Sequence, residues 1–350
     1  MIHNVRYQQD LQKAAAGLPD WSCLQDKSIM ISGATGLIGS FLTDLIMYQN
    51  RERQLNCKVF ALGRSAEKGK QRFGAYWEAD TFRFVAWDIN QPAPEELGYV
   101  DYILHAASNT HPVAYATDPI GTVTTNIIGT HNLLQYAVSH KIRRFIFAST
   151  VEVYGENRGD TEYFTEDYCG YIDCNTLRAG YPESKRAGEA LCQAFIKQEG
   201  LDVVIPRLSR VYGPTMLMSD TKALSQFIKN SLAGQDIVLK SAGTQFFSYS
   251  YVADAVLGIL WCLAKGTCGE AYNIADPASD ITLRDLAAQI ALQVGTKVVF
   301  EIPDAVESAG YSKATKAVLS SSKLQSLGWK ALWDIPTGLE STISILKESI

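Results

Sequence analysis

Along the first two-thirds of the chain, short apolar runs alternate with longer stretches whose apolar residues recur at helical spacing. The runs fall at residues 27–32, 57–65, 82–89, 100–107, 141–150 and 202–207, and none alternates polar with apolar as a strand with one wet face would. Strands buried on both faces read in this way, as in a parallel sheet covered by helices. Between the runs, residues 40–48, 125–137 and 186–199 place apolar side chains on one helical face. The pattern predicts an α/β fold, a Rossmann-type doubly wound parallel sheet. Residues 1–26 read as a lead-in with a short helix at 10–16, and the style changes again between 216 and 248.

The first apolar run leads into Gly33, Gly36 and Gly39 and then directly into a helix. In such a strand-to-helix turn the first glycine permits the tight turn and the second lets the backbone approach a pyrophosphate. The third lets helix and strand pack closely, with the helix N-terminus facing the anion. Ligands of an open α/β sheet sit beyond the carboxyl ends of its strands. Asp88 is therefore expected to reach an adenine, and the small Ala106 and Ala107 to leave room for a cofactor. His105 is expected to be a packed strand residue. The second run ends in Gly63, Arg64 and Ser65, where an acidic side chain would receive the ribose hydroxyls of NAD. Arg64 and Ser65 suit a 2′-phosphate, and Arg64 equally suits stacking on the adenine, so this position leaves NAD and NADP both open.

Tyr181 and Lys185 stand four residues apart at the start of a predicted helix, one turn apart on one face. An ammonium so placed is expected to lower the phenol's pKa toward that of a working general base. Thr150, at the end of the fifth run, can hydrogen-bond the same substrate oxygen. Together these residues make an alcohol-oxidation site.

Charge and composition narrow the partners. The formal net charge is −5 and no run of Lys and Arg tracks a phosphate backbone, which argues against nucleic acid. Seven cysteines without a Cys-x-x-Cys pair suggest reduced thiols in a cytoplasmic protein and no structural metal. The longest apolar run, 255–264, is too short to span a bilayer, so no membrane partner is expected.

The segments 33–39, 105–108, 126–130, 149–155, 181–185 and 207–214 together resemble the extended short-chain dehydrogenases that modify nucleotide sugars. The glycine spacing, Gly-x-x-Gly-x-x-Gly, is theirs too. The resemblance runs from about Lys27 to Trp329, and the spacing of 105–119 and 178–186 looks most like the UDP-glucuronate decarboxylases. It implies a dinucleotide-binding domain of residues 1–205 and 246–275, and a smaller mixed α/β substrate domain of 206–245 and 276–350. It implies NAD as cofactor, contacted by Gly33, Thr35, Gly36, Leu37, Ile38, Gly39, Arg64, Asp88, Ile89, Ala106, Ala107, Ser108, Asn126, Ser149, Tyr181 and Lys185. Thr150, Glu152, Tyr181 and Lys185 would be catalytic, and Thr110, Arg210 and Phe247 would meet a nucleotide-sugar substrate. It also implies a homodimer, built on the helices that begin near Asn126 and Tyr181.

Such enzymes oxidise carbon 4 of the sugar, and the keto sugar then loses carbon dioxide, loses water, or is reduced on its other face. A 4,6-dehydratase would carry Thr-Asp-Glu where this chain has Thr150-Val151-Glu152. Valine cannot protonate a departing hydroxyl, which favours decarboxylation. A non-catalytic dinucleotide-binding protein would be expected to have lost Tyr181 or Lys185, and a plain ketone reductase would release its cofactor each turn. Many relatives carry, at the position of Phe247, an arginine that grips the diphosphate. Arg210 is expected either to supply that charge or to pair with a nearby carboxylate.

Overall fold

The computed structural model describes residues 1–94, 97–110, 112–301 and 315–348. Its strands are β1 (Ser28–Ser32), β2 (Lys58–Gly63), β3 (Phe82–Ala86), β4 (Tyr102–His105), β5 (Arg144–Phe147), β6 (Ser149–Thr150) and β7 (Val203–Leu208), followed by β8 (Arg210–Tyr212), β9 (Ile237–Leu239), β10 (Phe246–Tyr251), β11 (Ala271–Ile274), β12 (Asp280–Thr282), β13 (Val298–Phe300) and β14 (Lys316–Ala317). Among the described residues the large sheet has eight strands in the order β11-β7-β5-β4-β1-β2-β3, with β6 also beside β7. Every pairing in it is parallel. The order reverses between β1 and β4, where a crevice opens at the carboxyl ends of the strands.

The apolar runs became these strands because both sheet faces are covered. Residues of β1, β4 and β5 are buried almost throughout, and two separate apolar clusters pack on the sheet. The strands are shorter than the runs. β3 stops at Ala86, so Trp87, Asp88 and Ile89 form the loop beyond it. Helix α1 (Val5–Gly17) extends the expected lead-in helix in both directions, its start capped by the Asn4 side chain, which accepts the Tyr7 N–H at 2.9 Å. Helix α2 (Leu37–Arg53) follows the glycine loop. Residues 125–129 form one π-helical stretch before the regular helix Thr130–Ser139, where a plain helix was expected from 125. The helix that Tyr181–Lys185 was expected to open runs from Gly180 to Glu199.

The later part of the chain forms a second sheet, β12-β10-β14 with β8 beside β10, and a parallel pair, β9 and β13. β10 and β8 pair in parallel with Tyr249 opposite Arg210, which brings Phe247 and Arg210 to the mouth of the crevice. At the end of β10, Asp254 accepts the N–H groups of Leu332 at 2.7 Å and Trp333 at 3.0 Å. That pins the closing segment to the start of the helix Val252–Lys265. Among the described residues no helix is long and apolar enough to cross a membrane.

Candidate active site

A cavity of about 1010 Å³ lies over the carboxyl ends of the large sheet. Its floor is the glycine loop. Gly33 has φ +73°, and a Cβ there would lie 2.8 Å from the Ala106 carbonyl oxygen. A Cβ on Gly39 would fall 2.5 Å from the Gly33 oxygen and 2.7 Å from Ala34 Cα. Only glycine fits either position. Gly36 is the N-cap of α2 and offers no side chain to its first N–H groups, and the first turn carries no acidic residue. The helix start is thus left for an external anion, and the residues present fit the pyrophosphate of a dinucleotide.

Thr35, Leu37, Ile38, Arg64, Asp88, Ile89, Ala106, Ala107 and Ser108 line the same cavity with the three glycines. Ser65 does not: its hydroxyl accepts the Lys68 N–H at 3.2 Å and caps the helix Ala66–Phe73. Of the two residues suited to a 2′-phosphate, Arg64 alone faces the cavity. His105 lies in the sheet as expected, fully buried, with Nδ1 at 2.8 Å from Ser32 Oγ and Nε2 at 2.9 Å from Thr130 Oγ1. Burial holds its pKa well below the usual value, with the Lys185 charge acting in the same direction.

The same cavity is lined by Thr110, Ser149, Thr150, Val151, Glu152, Tyr181, Arg210 and Phe247. Asn126 and Lys185 do not line it. Asn126 is completely buried and donates from Nδ2 to Ser184 Oγ at 2.9 Å, while Ser184 donates to the Tyr181 carbonyl at 2.9 Å. It braces the start of the Tyr181 helix. Lys185 turns beneath that helix and donates from Nζ to the Ala148 carbonyl at 2.8 Å, over the ring of Phe147. Side chains of helical residues lean back toward the N-terminus, which carries the ammonium under the end of β5. Burial pushes its pKa down to about 8, against the pull of Glu189.

The expected lowering of the Tyr181 phenol is not found in the protein alone. Burial holds its pKa above the ordinary value; a hydrogen bond with the Thr150 side chain opposes this, Glu152 adds to it and Arg178 counters it. Lys185 is not among the groups that act on the phenol. Tyr115 stacks on Tyr181, with ring centroids 5.2 Å apart and planes 25° apart.

Glu152 stands between two guanidinium groups, 3.6 Å from Arg178 and 3.6 Å from Arg210. The Arg210 guanidinium also lies over the Phe247 ring, its carbon 3.6 Å from the centroid. The carboxylate expected as one alternative partner for Arg210 is Glu152. Tyr115, Arg178, Asp220 and Lys222 also line the cavity, and no role was read for them from the sequence. Arg178, three residues before Tyr181, carried a legible signal in its spacing, whereas Tyr115 carried none. Among the described residues no cluster of His, Cys, Asp and Glu could hold a metal ion, and all seven cysteines are free.

Fold and site define a class: a doubly wound parallel-sheet protein with a dinucleotide cradle beside a Thr, Tyr and Glu constellation. Residues 29–275 match the NAD dependent epimerase/dehydratase family, and the chain belongs to it. It is 31% identical over 325 residues to UDP-glucuronic acid decarboxylase 1 of Xenopus tropicalis, a match covering 93% of this chain and 73% of that protein. It is 30% identical over 317 residues to UDP-glucuronic acid decarboxylase 3 of Arabidopsis thaliana, covering 91% and 88%. Among solved structures, a dTDP-glucose 4,6-dehydratase from Streptomyces venezuelae with NAD bound superimposes with a TM-score of 0.79 at 26% identity, covering 92% of this chain and 97% of that one. A UDP-glucuronic acid 4-epimerase from Bacillus cereus shares the fold, with a TM-score of 0.78 at 23% identity, covering 92% and 100%.

Proposed function

We propose that the protein binds NAD and decarboxylates a UDP-glucuronate-like nucleotide sugar through a transient 4-keto intermediate. The observation that carries this is the convergence of Thr150, Glu152 and Tyr181 on the cavity floored by the glycine loop, with Val151 in place of an acid. Arg64 leaves room for NADP as well. The nicotinamide, when bound, accepts and returns the hydrogen of carbon 4. The protein's part is proton handling and orientation. Tyr181 takes the proton of the 4-hydroxyl, Thr150 hydrogen-bonds the same oxygen, and Asn126 and Ser184 fix the helix from which Tyr181 projects. Lys185, a cation below its pKa of about 8, lies under the strand end and is the residue we assign to the nicotinamide ribose. Once carbon 4 is a ketone, the neighbouring carboxylate departs as carbon dioxide without an acid catalyst, so a buried Val151 is no handicap. A 4,6-dehydratase would need a proton donor there.

Glu152→Gln is expected to slow loss of carbon dioxide from UDP-glucuronate while absorbance still reports reduction of the bound nicotinamide. Unchanged decarboxylation would reduce Glu152 to a loop-ordering role.

We also propose a cytoplasmic homodimer and retain the two-domain division given above, with residues 1–205 and 246–275 forming one part. Support for the dimer comes from Ile127 and Ile128, 38% and 44% exposed on the π-helical stretch that begins near Asn126. Exposed apolar side chains on consecutive residues suit a two-fold contact, the commonest closed symmetry. Sedimentation at micromolar concentration is expected to give the dimer mass, and a monomer there contradicts the assignment.

A further inference from the structure

The pairing of Arg210 with Glu152 places a cation at the sugar end of the cavity, not at its far wall. Glu152 follows Thr150 by two residues, and Thr150 is hydrogen-bonded to the Tyr181 phenol that meets the reacting hydroxyl. Arg210 reaches this point from β8 with its side chain only one-quarter exposed, its guanidinium carbon 3.6 Å from the centroid of the Phe247 ring. Its Nη2 approaches Glu152 at 3.6 Å, longer than a well-made charged hydrogen bond. Its Nη1 is buried and has no acceptor among the described residues. A buried guanidinium N–H without a partner is costly, and such groups normally meet protein, water or ligand oxygen.

Charge points to the missing acceptor. Two guanidinium groups, Arg178 and Arg210, face the single Glu152 carboxylate at equal distance, leaving one positive charge uncompensated beside the reacting carbon. Elsewhere in the cavity Lys222 donates to Thr110 Oγ1 at 3.3 Å and to Asp220 at 3.3 Å, so a separate cation stands away from Glu152.

We infer that Arg210 binds the carboxylate of a uronate sugar and thereby makes the site selective for a sugar that is anionic next to its reacting carbon. The inference rests on the decarboxylase reading above and assigns to Arg210 the discrimination between a uronate and a neutral hexose. The incoming carboxylate supplies the acceptor that Nη1 lacks. A neutral hydroxymethyl group in its place leaves both guanidinium groups to share Glu152 alone. A guanidinium held over an aromatic ring is suited to this, because its planar fork loses little freedom when it grips a planar anion.

The test is calorimetric titration of NAD-loaded protein with UDP-glucuronate, UDP-glucose and UDP, in the Tyr181→Phe background so that substrate is bound and not consumed. Arg210→Met keeps the stack on Phe247 and removes the charge. It is expected to weaken UDP-glucuronate roughly 10- to 100-fold, the loss of one charged hydrogen-bonding partner, and to leave UDP-glucose and UDP unchanged. Arg210→Lys, which keeps the charge, is expected to retain part of the preference, and an unaltered melting temperature in either variant confirms folding. Equal weakening of all three ligands by Arg210→Met would place the arginine at the diphosphate and overturn the inference alone. If the protein with Arg210 intact binds UDP-glucuronate no better than UDP-glucose, the uronate reading fails, and the inference fails with it.

Discussion

Tyr181→Phe is expected to lower turnover by about 100- to 10,000-fold, the usual cost of losing a general acid–base group, while NAD binding persists. The phenol is 8% exposed, stacked against Tyr115 and hydrogen-bonded to Thr150. Phenylalanine keeps the ring and the stack and removes only the oxygen, so the fold should be unaffected. In the proposed reading the glycine loop is the main hold on the dinucleotide, so calorimetry with NAD should show little change. Burial keeps the proton on the phenol in the protein alone. The group therefore needs a neighbouring cation to act as a base, and Arg178 is the cation that acts on it. Near-normal activity in the variant would remove Tyr181 from the chemistry.

The second large effect is expected in the glycine loop, where two glycines should fail in different ways. Gly39→Ala drives a methyl to 2.5 Å from the Gly33 oxygen and 2.7 Å from Ala34 Cα, both backbone atoms that cannot swing aside. Overpacking of that kind costs roughly 1–3 kcal/mol, so both melting temperature and NAD affinity should fall. At Gly36 the one atom near an added Cβ is the Gly33 oxygen at 3.2 Å, a tight contact that a shift of a few tenths of an ångström relieves. Gly36→Ala should therefore fold almost normally. Its methyl instead stands where the pyrophosphate must approach the helix start, and NAD affinity is expected to drop roughly 10- to 100-fold for the same overpacking energy. A Gly36→Ala protein that binds NAD normally would mean that the anion does not sit at the start of α2.

These two sites also mark what the sequence made legible. The large sheet could be read because strands covered on both faces need uninterrupted apolar side chains, and the glycine loop because its backbone tolerates nothing larger. Most expected cavity residues lie at strand ends, and a parallel sheet collects all its strand ends on one edge. How Lys185 and Asn126 are held was not legible, because helical spacing fixes a side chain's face and not its reach. Lys185 folds under the helix to Ala148, and Asn126 donates to Ser184. The second sheet was not legible, since β8, β12 and β14 are two or three residues long and find their partners only through β10. The bracket of Arg178 and Arg210 around Glu152 was hidden for the same reason. It joins three segments through tertiary placement, and an arginine in a strand carries no mark of the carboxylate that it will face.

The central claim is that a carboxylated nucleotide sugar is oxidised at carbon 4 and loses carbon dioxide in this cavity. Its most direct test is mass spectrometry of the products formed by the NAD-loaded protein from UDP-glucuronate and, in parallel incubations, from dTDP-glucose and UDP-glucose. UDP-glucuronate should yield a nucleotide sugar lighter by one carbon dioxide, with the other two unchanged in mass. Efficient loss of water from dTDP-glucose or UDP-glucose, with UDP-glucuronate untouched, would contradict the account and require another residue to serve as the acid that Val151 cannot be.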